Sequence, residues 1–171
     1  MKKLISITTL IVFTFSLISC NTVKYAKNEN LLENKLPFEQ SDYPNSDTEY
    51  FTIQNVKGSN MTMIRTRALS AAKAILSAQI KAKVVNIANT ELSYNNGEER
   101  EASEQRIQEA SALSMAKVQL VDSKLFSDKE GEKDTYDYWT VYRVIIEDVV
   151  DIINKSNLGF KVNSSDLSDI Q

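Results

Sequence analysis

An α+β fold is predicted for this chain, on three observations. The run EYFTIQNV (residues 49–56) is rich in aromatic and β-branched residues. An alanine-rich stretch follows it, with apolar residues recurring at helical spacing. Two further runs, residues 116–126 and 135–147, then alternate on either side of Gly131. Together they give one long helix and a shorter one packed on a small antiparallel sheet, in the order β-α-α-β-β.

Each element has its own warrant. The sequence up to residue 19 has Lys2 and Lys3, an apolar run, then small residues, which is the build of a signal peptide. Its apolar run is shorter than the roughly 20 residues a permanent membrane helix needs. Residues 17–20, LISC, end on the single cysteine of the chain and resemble the bacterial lipobox, whose cysteine is acylated and becomes the first mature residue. Cys20 is therefore expected to carry lipid, and several acyl chains anchor stably where one does not. Residues 20–42 are polar, include Pro37, and read as a lipidated cysteine followed by a flexible tether. A single domain is expected over residues 43–156, and a loose tail over 157–171.

Within that domain, residues 49–56 form the first strand. Gly58 with Ser59 or Asn60 marks a helix start. From residue 61 to about 88, Met61, Ile64, Ala68, Ala72, Ile75, Leu76, Ile80 and Ile87 fall on one arc of a 3.6-residue wheel. Residues 98–109, rich in Glu, Arg, Gln and Ala, start a second helix that runs to about Met115. The last two strands form a hairpin. In the second of them Tyr136, Tyr138, Thr140, Tyr142, Val144 and Ile146 share one face. Trp139, Val141 and Ile145 share the other, which Arg143 interrupts. Residues 148–155 close with a short helix.

Composition narrows the function. Removing residues 1–19 takes away two lysines and no acid, so 20 basic against 23 acidic residues becomes 18 against 23, a net charge of −5. That balance argues against nucleic acid as a partner. Histidine is absent, which removes Ser-His-Asp and Cys-His catalysis and most zinc or copper sites. No cofactor and no metal are expected. The glycines stand apart from one another, so no phosphate-cradling loop is present.

Four constellations remain. Ser70 and Lys73 form a Ser-x-x-Lys pattern, the pairing in which a lysine activates a serine hydroxyl. Paired carboxylates, Asp148 with Asp151 or Glu98 with Glu99, are the residue types of acid–base catalysis. Residues 50–90 contain no acid, and Arg67, Lys73 and Lys81 form a candidate anion-binding face for a glycan or lipid headgroup. Tyr136, Tyr138 and Tyr142 offer a candidate partner surface. Each has a plainer reading: a solvated helix face for the charges, and strand aromatics divided between core and sheet surface for the tyrosines. Arg65 and Lys83 lie near the apolar arc and are expected to snorkel at its edge.

RALSAAKAILSAQIKAKV (residues 67–84), with Tyr50-Phe51 before it and VQLVD (118–122) and YWTVYRV (138–144) after it, resembles the Lpp-twenty lipoprotein family. The lipobox fits the same order, whereas Asn55-Val56-Lys57-Gly58 departs from the family's usual end to the first strand. The resemblance implies this fold and a cell-envelope location, and no reaction. A non-enzymatic, lipid-anchored bacterial envelope protein is thus expected. It would sit in the outer membrane facing the periplasm, with its domain binding a protein partner or supporting assembly. The alternatives are a small hydrolase or transferase using carboxylates or the Ser-Lys pair, and an anionic glycan or lipid binder.

Overall fold

The computed structural model describes residues 25–27, 36–92, 97–130 and 133–168. Cys20, the signal segment and Gly131 lie outside the described residues. The architecture is α+β, as the sequence predicts. Strands β1 (Tyr25–Lys27), β2 (Glu49–Gly58), β3 (Gln119–Glu130) and β4 (Lys133–Ile145) form one sheet in the order β1-β3-β4-β2. Helices α1 (Met61–Glu91), α2 (Gly97–Ser114), α3 (Ile146–Lys155) and α4 (Ser164–Leu167) complete it. β2 and β3 both run antiparallel to β4, while β1 is parallel to β3.

The register sets the two faces. Tyr50, Thr52, Gln54 and Val56 lie opposite Val144, Tyr142, Thr140 and Tyr138, and Leu125 lies opposite Tyr138. Because paired residues point to one side of a sheet, this whole set faces α1. Gly58 ends β2 at the close approach of α1, and a Cβ there would lie 2.9 Å from Ile64 Cγ2. Asn60 then caps α1, its Oδ1 accepting from the Met63 N–H at 3.0 Å. This satisfies one of the donors that a helix start leaves open.

The buried residues of α1 are Ile64, Ala68, Ala72, Leu76, Ile80, Val84 and Ala88, a strict spacing of four. Four residues advance about 400°, so each step overshoots a full turn by about 40° and the buried stripe winds roughly 240° around the helix, right-handed. The first half of the stripe packs with Leu125, Tyr138 and Tyr142 of the sheet. The second half packs with Tyr50, Val144 and the apolar residues of α2, α3 and the C-terminal segment. A fixed arc had placed Ile75 among the core residues, yet it is 42% exposed. Val84 and Ala88, outside that arc, are buried instead. Successive sides of α1 thus serve two layers in turn.

Element ends shift slightly from those expected. Residues 115–117 continue α2 as a 3-10 turn that buries Met115, so β3 begins at Gln119. Buried Ser111 and Ser114 return their hydroxyls to the Ile107 and Ala110 carbonyls at 2.8 and 3.0 Å, leaving no buried hydroxyl unpaired on that face. β4 passes directly into α3, whose first turn carries Glu147 and Asp148, acids that complement the helix dipole.

The larger corrections concern the flanks. Residues 157–168 are not a loose tail: Leu158, Val162 and Leu167 are 7%, 1% and 0% exposed and join the core. Asn157 and Gly159 at positive φ, 52° and 89°, reverse the chain after α3. The Asn154 side chain then holds Val162 on both backbone groups, at 2.8 and 2.9 Å. The Leu167 carbonyl accepts from the Tyr50 hydroxyl and from Lys83 Nζ. Nor does the folded part begin at Tyr43, because Phe38 is 4% exposed and β1 pairs with β3 inside the segment read as a tether.

Candidate functional site

The four constellations meet different fates. Ser70 is exposed and Lys73 half-buried on α1, and no hydrogen bond joins them among the described residues. Asp148 instead pairs with Lys117 at 3.5 Å, and Asp151 with Lys155 at 2.6 Å, so the two carboxylates engage different lysines. Glu98 and Glu99 are exposed at the start of α2, where they serve its dipole.

The basic residues do not make one open face. Arg67 is exposed on the sheet-bound half of α1, while half-buried Lys81 reaches α2 and donates to Gln108 Oε1 at 3.0 Å. The two are separated by roughly 21 Å of helix. The winding stripe explains the division, since the side of α1 that is polar near Arg67 has turned toward α2 at Lys81. Arg65 and Lys83 do snorkel, the first 5.9 Å from the Tyr138 ring and the second 5.4 Å from the Tyr50 ring.

The tyrosines are not a docking surface. Tyr138 and Tyr142 are 4% and 5% exposed, beneath α1 with Ala68 and Ala72, and Tyr136 packs half-buried against the same cluster. Two alanines at the crossing let the helix backbone approach the rings. Burial, then the neighbouring Tyr138, raises the Tyr142 phenol above its ordinary 10.0.

The opposite sheet face carries Phe51, Ile53, Trp139, Val141, Lys124 and Asp122 by register, and residues 36–45 lie along it. Lys124 Nζ donates to the Pro37 carbonyl at 2.7 Å and sits 4.6 Å from the Phe38 ring centre. Phe38 meets Tyr43 edge-on at 5.9 Å, and Tyr43 tilts against Phe51 at 5.8 Å. The Tyr43 hydroxyl donates to Asp122 Oδ2 at 3.3 Å, and Asn45 Oδ1 accepts the Phe51 N–H at 2.8 Å. Arg143, which interrupts this face in the sequence, ties three strands together: Nη1 reaches Glu49 on β2 at 2.6 Å, and Nε and Nη2 reach Gln119 on β3 at 3.3 and 3.2 Å.

Burial, and then the charge and hydrogen bond of Asp122, hold the Tyr43 phenol above its ordinary 10.0. The folded state thus keeps this proton after an unfolded chain has lost it. The contact is intact below pH 10.0 and its contribution falls as pH rises through the folded pKa. Ultraviolet titration, with Tyr43→Phe subtracted to assign the signal, should place its ionisation above 10.0. Asp122→Asn should lower the value part of the way, because burial remains; no change in Asp122→Asn would show that the carboxylate has no hold on the phenol.

Sequence reasoning gave Phe38, Tyr43 and Lys124 no role: Phe38 lay in the segment read as tether, Tyr43 marked only the start of the domain, and Lys124 was one residue of a strand. The one available signal was Pro37-Phe38 near the end of the tether, just ahead of Tyr43. Ile87, Thr90, Glu91, Gly159, Phe160, Lys161, Asn163 and Asp166 line an open depression that contains none of the candidate residues. No cluster of three metal-ligating side chains occurs among the described residues, and no helix there is long and apolar enough to cross a membrane. No protein-family model matches the chain, and comparison with curated proteins and with solved structures finds no similar one.

Proposed function

We propose that this chain is a lipid-anchored bacterial cell-envelope protein of the Lpp-twenty kind. In this reading it sits at the outer membrane facing the periplasm, and its α+β domain binds or supports another envelope component without catalysing a reaction. One observation carries the reading: the lone cysteine of the chain closes an apolar run that begins with Lys2 and Lys3, in the sequence LISC. The order of strand, alanine-rich helix and aromatic hairpin adds to it.

Acyl chains do the anchoring in this reading, because a single saturated chain binds membranes only marginally while two or more hold. The domain then acts by contact, at high local concentration along the bilayer. The test is metabolic labelling with an alkyne-bearing fatty acid, followed by fractionation. Wild type should carry the label and sediment with membranes, and Cys20→Ser should lose the label and its membrane attachment together. Firm attachment of unlabelled Cys20→Ser protein would refute the proposal.

A further inference from the structure

We infer that the β3 side of the domain is the side that lies against the lipid bilayer, an inference that rests on the acylation of Cys20 proposed above. The first observation is where the lipid-bearing chain arrives. Tyr25 follows Cys20 by five residues, and a chain spans at most about 3.6 Å per residue, so Tyr25 lies within about 18 Å of the anchored backbone. Tyr25 opens β1, which is paired with Leu125, Phe126 and Ser127 of β3. The junction with the bilayer therefore falls on the β3 flank.

The second observation is what that flank exposes. α1 packs over β2, β4 and Leu125 of β3, and β1 pairs with Leu125, Phe126 and Ser127, which leaves the start of β3 uncovered. Leu120 and the bulged Val121 are 51% and 38% exposed. Leu113, at the end of α2 just before the turn into β3, is 63% exposed. Leu36, 54% exposed, precedes Pro37, whose carbonyl is held by Lys124 of β3. Leu36 thus goes with residues 36–45 on the sheet face away from α1, and Met63 and Ile75 are on α1, so three of the six large apolar side chains exposed among the described residues, Leu113, Leu120 and Val121, gather at the entry to β3.

Exposed apolar residues gathered at the entry to one strand mark a contact surface. A bilayer is the occupant within reach of this one, because the acylated chain brings it there. Leucine and valine tips entering the headgroup region give little affinity by themselves, but with the acyl chains already inserted they fix which side faces the lipid.

The test uses the full acylated protein, in which the Cys20 thiol is blocked, so that Leu120→Cys or Leu113→Cys supplies a single site for a fluorophore. The probe is a vesicle of phosphatidylethanolamine and phosphatidylglycerol containing headgroup-nitroxide lipid. Labels at 120 and at 113 should be quenched several-fold more than one at Ile75→Cys on α1. Equal quenching at all three, or stronger quenching on α1, overturns the orientation. So does a label at 120 shielded from aqueous iodide yet unquenched by the nitroxide lipid, which marks a protein contact instead. Intact mass separates the failures: unmodified residue 20 overturns both anchoring and orientation, whereas acylated protein with even quenching overturns the orientation alone.

Discussion

Ending the chain at Ser156 is expected to leave the domain unfolded at 25 °C. The truncation removes Leu158, Val162 and Leu167, all buried in the main core cluster. Full burial of an aliphatic side chain is worth about 1.5–3 kcal/mol, so the three together supply roughly 5–9 kcal/mol. That is comparable with the entire 5–15 kcal/mol by which a typical domain is stable. The Tyr50 hydroxyl and Lys83 Nζ would also lose the Leu167 carbonyl they share. Far-ultraviolet circular dichroism and urea titration read the outcome. A truncated chain that kept the wild-type midpoint would mean that these residues contribute nothing, as a loose tail would.

Leu76→Ala should cost about 2–5 kcal/mol, the range for emptying a buried leucine site. Ile75→Ala, one residue earlier on the same helix, should cost well under half as much. Leu76 is fully buried where α1 passes from the sheet to the helical layer, whereas Ile75 is 42% exposed. The two substitutions remove similar volumes of aliphatic side chain, so their difference measures position. Paired urea unfolding curves decide it, with unchanged slopes confirming a change in stability alone. Equal losses at the two sites would contradict the four-residue winding of the buried stripe.

β2, the three longer helices and the β3–β4 hairpin were legible because local composition and spacing mark them, whereas β1 and α4 were not. β2 is rich in aromatic and β-branched residues, α1 repeats its apolar residues at helical spacing, and β4 places Tyr136, Tyr138 and Tyr142 on one face, so local rules suffice. What could not be read was how the elements share partners. A 3.6-residue arc presumes that a helix faces one neighbour along its length. α1 faces the sheet and then α2, α3 and the C-terminal segment, so Ile75 was placed inside while Val84 and Ala88 were overlooked. Tyr138 and Tyr142 were correctly assigned to one face, but which sheet face α1 would cover depends on tertiary packing. The flanks were misread for a related reason. Phe38 and Leu167 are isolated apolar residues in polar stretches, and their partners lie far away in sequence. Among the candidate site residues, Lys81 was drawn away from Arg67 by the same winding of α1. Cys20 alone was proposed from a pattern that needs no fold.

The strap at residues 36–45 also decides how the domain bears tension. A tug through the preceding chain meets the short β1 pairing first. It then meets the Lys124–Pro37 and Tyr43–Asp122 contacts before any force reaches β2. These are side-chain attachments on a sheet surface, so they peel one at a time, while the strands behind them are joined edge to edge and share a load along their length. The three longer strands and the long helix are thereby mechanically insulated, with the β1 pairing and then the strap as the parts that yield.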